Sequence, residues 1–159
     1  MTAVVSLGSN LGDRLASLRR GLEVLSLHLP VVAVSAVYET TAVGVTDQPD
    51  FLNIIAMLGT DDPEAAFVAA QSAEIAQGRL RSRRWGPRSL DVDVIDVDGK
   101  VSSDPRLTLP HPRAHERAFV LAPWLELEPV AELPRIGSIR RVLAGLDRSG
   151  VRRVAGPPR

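Results

Sequence analysis

A pair of acidic residues, Asp91 and Asp93, is the feature of the sequence that most directly suggests chemistry. The segment around it, Ser89–Val97, alternates and is rich in β-branched residues, which predicts a strand. Residues two apart on a strand point to the same face, so the two carboxylates would lie side by side. Neighbouring carboxylates repel each other unless a cation or a proton neutralises them, and Mg²⁺ prefers hard oxygen ligands. The pair is therefore either a platform for Mg²⁺ or two solvated acids on an exposed strand face.

A cluster of basic residues lies just upstream of this pair. Five arginines fall within ten residues: Arg79, Arg81, Arg83, Arg84 and Arg88. Guanidinium groups bind phosphate oxygens in a bidentate manner, and metal-binding carboxylates beside them complete a minimal set for phosphoryl transfer. The sequence contains no Gly-x-x-x-x-Gly-Lys-Ser/Thr motif, and Lys100 is its only lysine. A nucleotide would therefore be held by arginines and metal rather than by a P-loop.

Two further segments could contribute to a site. His111 lies between two prolines and near Arg113 and Arg117, a setting that suits contacts with phosphate or ribose, although a structural histidine is the alternative. Phe51 and Asn53 alternate onto one face of a predicted strand. An aromatic ring and an amide that both donates and accepts hydrogen bonds suit a flat heteroaromatic ligand. With no cysteine and no His-Glu-x-x-His motif, the sequence does not support a zinc site.

The elements that must position these residues follow the order β-α-β-β-α-β. The predicted elements are Thr2–Gly8, Arg14–Leu29 (with Asp13 as N-cap), Val31–Tyr38, Phe51–Gly59, Glu64–Gln77 and Ser89–Val97, followed by helices at Phe119–Leu127 and Ile136–Leu146. This order is typical of the α+β, ferredoxin-like fold, an antiparallel sheet with two helices on one face. The other face would be left for further elements or a ligand.

Length and composition indicate one ordinary domain. The chain has 159 residues, 45% of them hydrophobic and 24% charged, and its mean hydropathy is +0.05. We expect a single domain over residues 1–159, of which about 150–159 would form a flexible tail. Nineteen basic and nineteen acidic residues cancel, which disfavours nucleic acid and anionic membranes as partners. The sequence shows no secretory signal, no apolar run near the ~20 residues that span a bilayer, and no cysteine, so we expect a cytoplasmic protein.

Taken together, these segments resemble the 6-hydroxymethyl-7,8-dihydropterin pyrophosphokinase family. The resemblance rests on Leu7–Asp13, Asp47–Asn53, Gln77–Arg79, Arg84–Asp93, Leu107–His111 and the pair Arg117 and Phe119. The string Arg-Trp-Gly-Pro-Arg-x-Leu-Asp-x-Asp is too long and unusual for a chance match. The resemblance implies a ferredoxin-like enzyme of folate biosynthesis that transfers pyrophosphate from ATP to the hydroxymethyl group of the pterin and releases AMP. We expect it to act as a monomer.

The resemblance also implies roles for individual residues. Asp91 and Asp93 would bind two Mg²⁺ ions that bridge the ATP phosphates, and Arg79 and Arg88 would join them in catalysis. The pterin would be held by Thr40, Thr41, Val43, Phe51, Asn53, Trp85, Asp91 and Phe119. ATP would be held by Gln71, Glu74, Arg79, Arg81, Val94, Arg106, Thr108, His111 and Arg117. The sequence departs from the family pattern at Thr41, where the pattern has proline.

Two other functions deserve comparison with this one. Ferredoxin-like sheets also serve as RNA-binding modules, but such modules are usually basic and stack bases on exposed aromatic residues. Here aromatic residues make up 4% of the chain, the net charge is zero, and the two aspartates would repel a phosphate backbone. A different Mg²⁺-dependent nucleotidyl- or phosphoryltransferase on the same fold is the second alternative. The product, which is AMP, ADP or released pyrophosphate, separates these alternatives from a pyrophosphokinase.

Overall fold

An antiparallel sheet with helical layers on both faces forms the framework of the protein in a computed structural model, which describes residues 1–41, 50–77 and 90–158. The elements are β1 (Ala3–Ser9), α1 (Arg14–His28), β2 (Val31–Val34), β3 (Val37–Thr40), β4 (Phe51–Leu58), α2 (Pro63–Ala76), β5 (Asp91–Val97), a short 3₁₀ helix (Ala114–Glu116), α3 (Ala118–Leu127), β6 (Glu132–Leu133), β7 (Gly137–Ser138), α4 (Ile139–Ala144) and β8 (Val151–Ala155). The strand order is β5-β1-β4-β3-β8, and β2 also pairs with β4. This arrangement confirms the predicted α+β class, and it follows the predicted β-α-β-β-α-β order except that the second predicted strand is two strands.

The predicted strand Val31–Tyr38 is divided into β2 and β3, which both pair with β4. The division falls at Ser35 and Ala36. The Ser35 hydroxyl accepts a hydrogen bond from the Ile55 backbone at 2.9 Å, and Glu126 of α3 accepts one from the Ala36 backbone at 3.0 Å. The Ser35 backbone still donates to the Ile55 oxygen at 2.9 Å, but side chains take the place of the other ladder bonds here, and one of them comes from a helix 90 residues later in the chain.

Helices α1 and α2 cover one face of the sheet. Asp13 caps α1 by accepting a hydrogen bond from the Ala16 backbone at 3.0 Å, and Asp62 caps α2 in the same way through Glu64. The leucine stripe of α1 buries Leu18 and Leu25 completely against the sheet. Small residues line the buried face of α2, namely Ala66, Ala69, Ala70 and Ala73. This layer forms the larger of the two apolar clusters.

The C-terminal elements cover part of the opposite face. Trp124 of α3 and Ile139 of α4 pack with Ile55 and Ile95 of the sheet. Helix α3 matches the predicted segment closely, whereas α4 is shorter than predicted because the β6–β7 hairpin precedes it. Ser138 ends the hairpin and caps α4. The rest of this face carries the aspartate pair. Among the described residues, no helix is long and apolar enough to cross a membrane.

The C-terminal segment differs from its sequence prediction. A flexible tail is expected from about residue 150, but Val151–Ala155 form β8, which pairs antiparallel with β3. The pairing joins Glu39 with Arg152, and the Thr41 backbone donates a hydrogen bond to the Gly150 oxygen at 3.0 Å. The segment is short, charged and mostly exposed, so it has no apolar periodicity that would reveal a strand.

Candidate active site

The aspartate pair lies on β5, the edge strand of the sheet beside β1. Asp91 pairs with Gly8 and Asp93 pairs with Ser6. Burial alternates along the strand as predicted: Val92 is buried in the α1–α2 core, while the Asp93 side chain is 44% exposed. Both carboxylates therefore face away from α1 and α2, which confirms the prediction that they share one face of a strand.

Two cavities meet at this pair. The first, here called the polar cavity, has a volume of about 450 Å³ and includes the Asp91, Asp93, Gln71, Arg106, Thr108 and His111 side chains in its lining. The second, here called the aromatic cavity, has a volume of about 340 Å³ and is lined by Ser6, Gly8, Thr40, Thr41, Phe51, Asn53, Asp91, Asp93, Arg117 and Phe119. Asp91 and Asp93 belong to both linings. A ligand in each cavity would bring its reacting end to the same two carboxylates.

The aromatic cavity has an apolar ring surface and a buried polar edge. Phe51 begins β4, and Phe119 lies in the first turn of α3. At the polar edge, Asn53 Nδ2 donates a hydrogen bond to Thr40 Oγ1 at 2.8 Å, and both side chains are buried. Asn53 lies close against β1, since a Cβ at Gly8 would be only 2.9 Å from Asn53 Oδ1. A Cβ at position 8 would therefore force the Asn53 amide to shift.

The structure brings together most of the residues predicted to hold the pterin. Six of them line the aromatic cavity: Thr40, Thr41, Phe51, Asn53, Asp91 and Phe119. Sequence reasoning missed Ser6 and Gly8 as lining residues, although Gly8 is part of the Leu7–Asp13 motif. The sequence gives little indication that these two residues line a site, because both lie within an otherwise apolar strand.

Arg117 lies at the boundary between the two cavities. Its Nη1 is 3.8 Å from Asp93 Oδ2, and its guanidinium lies 5.7 Å from the centroid of the Phe119 ring. A cation at these distances attracts both the carboxylate and the ring face. Sequence reasoning assigned Arg117 to ATP, whereas the structure places its side chain in the lining of the aromatic cavity. From that position, it offsets part of the repulsion between the two aspartates.

Apart from Arg117, every residue that is predicted to hold ATP and that the structure describes lines the polar cavity. They are Gln71, Glu74, Val94, Arg106, Thr108 and His111. Arg106 pairs with Glu64 and Asp104, each at 3.2 Å, and its guanidinium lies 5.6 Å from the centroid of the Phe67 ring. Phe67 was not predicted, because a half-buried aromatic residue on a helix normally indicates core packing.

Glu74 supports the strand that carries the aspartates. Its carboxylate is buried, and Oε2 accepts a hydrogen bond from the Val92 backbone at 3.0 Å. Val92 lies between Asp91 and Asp93 on an edge strand, where a buried outward N–H group needs a partner. Glu74 therefore anchors the backbone between the two carboxylates, in addition to lining the polar cavity.

The neighbours of His111 hold its ring in place and favour its neutral form. Its backbone N–H donates to the Ile95 oxygen at 2.9 Å, and its Nδ1 accepts a hydrogen bond from the Arg113 backbone at 3.2 Å. Burial lowers the pKa of His111, and Arg117 and Arg113 lower it further, although Asp93 opposes them. The neutral ring thus carries its proton on Nε2, which makes that atom a hydrogen-bond donor.

Several predicted residues lie outside the described part of the chain. These are Val43, Arg79, Arg81, Trp85 and Arg88, together with the neighbouring Arg83 and Arg84. Their assigned roles stay predictions.

The donor set at the aspartate pair fits Mg²⁺. In the described ranges, no group of three or more His, Cys, Asp and Glu side chains could hold a metal ion. Mg²⁺ is usually held by one or two carboxylates and takes its remaining ligands from phosphate oxygens and water, rather than from an all-protein cage. Two partly exposed carboxylates between two open cavities meet that requirement.

Comparisons with known proteins agree with this architecture. A ferredoxin-like sheet with a carboxylate pair between a polar and an aromatic cavity is an arrangement that suits a transferase of the kinase type. Residues 4–129 match the family described as 7,8-dihydro-6-hydroxymethylpterin-pyrophosphokinase (HPPK). The chain belongs to this family.

Individual relatives match along nearly the whole chain. A protein of Methylorubrum extorquens named 2-amino-4-hydroxy-6-hydroxymethyldihydropteridine pyrophosphokinase is 45% identical over 156 residues, which cover 96% of this chain and 98% of the relative. A Mycobacterium tuberculosis protein of the same name is 46% identical over 170 residues, covering 96% and 89%.

Among solved structures, HPPK-DHPS in complex with substrates matches with a TM-score of 0.71 at 11% identity. Wild-type HPPK-DHPS of Plasmodium falciparum with SDX-DHP matches with a TM-score of 0.69 at 13% identity. Each match covers 96% of this chain and 47% of the solved chain. At this level of identity the structures establish a shared fold.

Proposed function

We propose that this protein transfers a pyrophosphoryl group from ATP to the hydroxymethyl group of 6-hydroxymethyl-7,8-dihydropterin, giving the pterin diphosphate and AMP in folate biosynthesis. The observation that carries the proposal is the position of Asp91 and Asp93 in the linings of both cavities. Two substrates that react with each other need such a shared boundary. Membership of the HPPK family supports the choice of reaction.

The pterin occupies the aromatic cavity in this proposal. Phe51 and Phe119 offer ring faces for a flat heteroaromatic system, while Asn53 and Thr40 offer hydrogen bonds to its polar edge. The other residues proposed to hold the pterin are Thr41 and Asp91, which line the cavity, and Val43 and Trp85, which are assigned by family resemblance. The hydroxymethyl group then points to Asp91 and Asp93, where the aromatic cavity meets the polar cavity.

ATP occupies the polar cavity. Arg106, Thr108 and His111 provide donors for the nucleotide, and Gln71, Glu74 and Val94 line the same space. Phe67 adds an aromatic face beside Arg106. Arg117, at the boundary, is suited to a phosphate oxygen near Asp93. Arg79, Arg81 and Arg88 are assigned to the phosphates and to catalysis by family resemblance.

The reaction is an in-line displacement at the β-phosphorus of ATP. The hydroxymethyl oxygen forms a bond to that phosphorus, the bond from the phosphorus to the oxygen bridging it to the α-phosphate breaks, and AMP leaves with that oxygen. The hydroxyl proton leaves late and passes to Asp91, the candidate base that the described residues offer beside the reacting groups. Asp91 and Asp93 would hold two Mg²⁺ ions, which when bound would supply Lewis-acid neutralisation of phosphate charge. The arginines orient the phosphates.

We expect one catalytic domain over residues 1–159, acting as a monomer in the cytoplasm without nucleic-acid or membrane partners. The zero net charge and low aromatic content support the last two expectations.

Product analysis tests the reaction directly. The purified protein is incubated with ATP, Mg²⁺ and 6-hydroxymethyl-7,8-dihydropterin, and nucleotides and pterins are separated by chromatography. AMP that forms in equal amount with pterin diphosphate supports the proposal. ADP as the product, or ATP consumption that does not depend on the pterin, contradicts it and favours a different phosphoryl- or nucleotidyltransferase.

A further inference from the structure

Four charged residues form a network on the sheet face that α1 covers: Arg14, Glu39, Asp50 and Arg152. Glu39 Oε2 accepts a hydrogen bond from Arg14 Nη1 at 3.0 Å, and Glu39 Oε1 accepts one from Arg152 Nη2. Arg14 Nη1 also donates to the Asp50 backbone oxygen at 2.7 Å, and Arg152 Nη2 donates to Asp50 Oδ2 at 3.2 Å. The bonds from Arg14 and Arg152 hold the pKa of Glu39 below its ordinary value. The network joins α1, β3, β8 and the residue before β4.

This network lies behind the aromatic cavity. Glu39 precedes Thr40, and Asp50 precedes Phe51. Thr40 and Phe51 are partners in the β3–β4 register, and both line the aromatic cavity. Because successive strand residues point to opposite faces, Glu39 faces the other way, as does its register partner Leu52, which is buried in the α1–α2 core. The network therefore fixes the strand ends from the side opposite the cavity.

Strand β8 brings Arg152 into this network. Thr40 pairs with Val151 in the β3–β8 register, and the Thr41 backbone donates to the Gly150 oxygen at 3.0 Å. Proline at position 41 would lack the N–H group for this bond. Arg152 also lies beyond residues 4–129, the part of the chain that matches the family. The C-terminal strand thus adds a charged contact from outside the family-defining segment.

We propose that Glu39 and Arg152 are positioning residues for the pterin, holding the ends of β3 and β4 so that Thr40 and Phe51 present their side chains to the ring. The inference rests on the proposed function, since it takes the aromatic cavity as the pterin site. Glu39 and Arg152 do not line either cavity, so they act through their neighbours. Arg152 is 51% exposed, and exposed ion pairs contribute little to global stability. Losing the pair therefore changes pterin affinity more than folding.

Steady-state kinetics of Arg152→Ala test the proposal, with Arg153→Ala as the matched control. Arg153 is the next residue on β8 and is exposed. Its replacement by alanine removes the same charge, but leaves the bonds of Arg152 to Glu39 and Asp50 in place. We expect Arg152→Ala to raise the KM for the pterin by about threefold to fivefold, the upper end of what an exposed ion pair contributes. The kcat and the KM for ATP stay within about twofold of wild type in both variants.

Glu39→Gln provides an independent variant that keeps the size of the side chain. It should raise the pterin KM in the same direction, and the double variant Glu39→Gln/Arg152→Ala should add little to the larger single effect, because both changes remove the same contact.

Should Arg152→Ala fail to fold, as judged by circular dichroism, Glu39→Gln carries the test. If wild type forms no AMP, the proposed function fails. If wild type is active but pterin KM is unchanged, changes equally with Arg153→Ala, or changes together with the KM for ATP, the positioning role is wrong.

Discussion

Arg117 Nη1 lies 3.8 Å from Asp93 Oδ2, at the boundary of the polar and aromatic cavities. The same guanidinium lies over the Phe119 ring, so one cation lies beside both Asp93 and the wall of the proposed pterin site. This relationship couples the two halves of the site electrostatically. It also explains how two neighbouring aspartates can remain on one strand face, because a positive charge beside them offsets their repulsion.

Replacing either aspartate should abolish most of the activity. Asp91→Asn and Asp93→Asn remove a negative oxygen ligand while preserving side-chain size, so kcat should fall by more than about tenfold, or ~1.4 kcal/mol of activation free energy. Asp98→Asn is the matched control, since Asp98 is exposed at the turn after β5 and lines neither cavity. Initial rates of AMP formation measure the effect. Retention of more than about a tenth of the wild-type rate in either variant would contradict the assigned role.

The two cavities should respond separately to loss of their aromatic residues. Phe119→Ala should raise the KM for the pterin by about tenfold, with a smaller effect on the KM for ATP, because a stacking surface is lost. Phe67→Ala should do the reverse, since Phe67 lines only the polar cavity. Each variant thus serves as the control for the other. The assignment of substrates to cavities is wrong if Phe119→Ala mainly raises the KM for ATP and Phe67→Ala mainly raises the KM for the pterin.

Gly8→Ala should weaken pterin binding without unfolding the protein. The added Cβ would stand 2.9 Å from Asn53 Oδ1, so the amide must shift and its 2.8 Å bond to Thr40 must weaken. Gly156→Ala is a suitable control, because a Cβ there meets no atom within 4 Å. Fluorescence titration with the pterin in the presence of an ATP analogue measures the affinity. Equal affinities for Gly8→Ala and wild type would show that the glycine is not needed at this edge.

His111 should make the free energy of unfolding depend on pH. Its folded-state pKa is lowered by burial, so it contributes stability above its unfolded pKa of about 6.5 and loses that contribution as pH falls through the folded value. Denaturant unfolding between about pH 5 and 8 should therefore show a flatter acid limb for His111→Gln than for wild type. Parallel acid limbs for His111→Gln and wild type would contradict this expectation.

Local patterns were enough to predict much of the framework, whereas most of the residues that line the cavities were predicted from the family resemblance. Strand alternation alone fixes that Asp91 and Asp93 share a face, and the cap at Asp13 and the leucine stripe fix α1. The division of β2 from β3 could not be seen, because it depends on Glu126, which lies 90 residues beyond Ala36. Long-range contacts of this kind leave no periodic signal in a single sequence.

The same limit applies to the supporting residues of the site. Arg152 meets Glu39 across 113 residues, and the short charged segment around it suggested a tail. Glu74 was assigned to the nucleotide on resemblance, whereas its bond to the Val92 backbone arises only when α2 packs beside β5. Residue types reveal which groups can bind a substrate, but the groups that hold them in place become visible only once the chain is folded.

Counting bound metal ions tests most directly whether the carboxylate pair links the two substrates. Mn²⁺ can replace Mg²⁺ as the probe, and an ATP analogue with a methylene group between the α- and β-phosphates prevents cleavage of the bond that breaks in the reaction. Electron paramagnetic resonance titration in the presence of this analogue and the pterin should find two Mn²⁺ ions per wild-type chain. Asp91→Asn and Asp93→Asn should each lose at least one of them, while Asp98→Asn keeps both. If Asp91→Asn and Asp93→Asn each bind as many ions as wild type with unchanged affinity, the aspartates do not hold the metal.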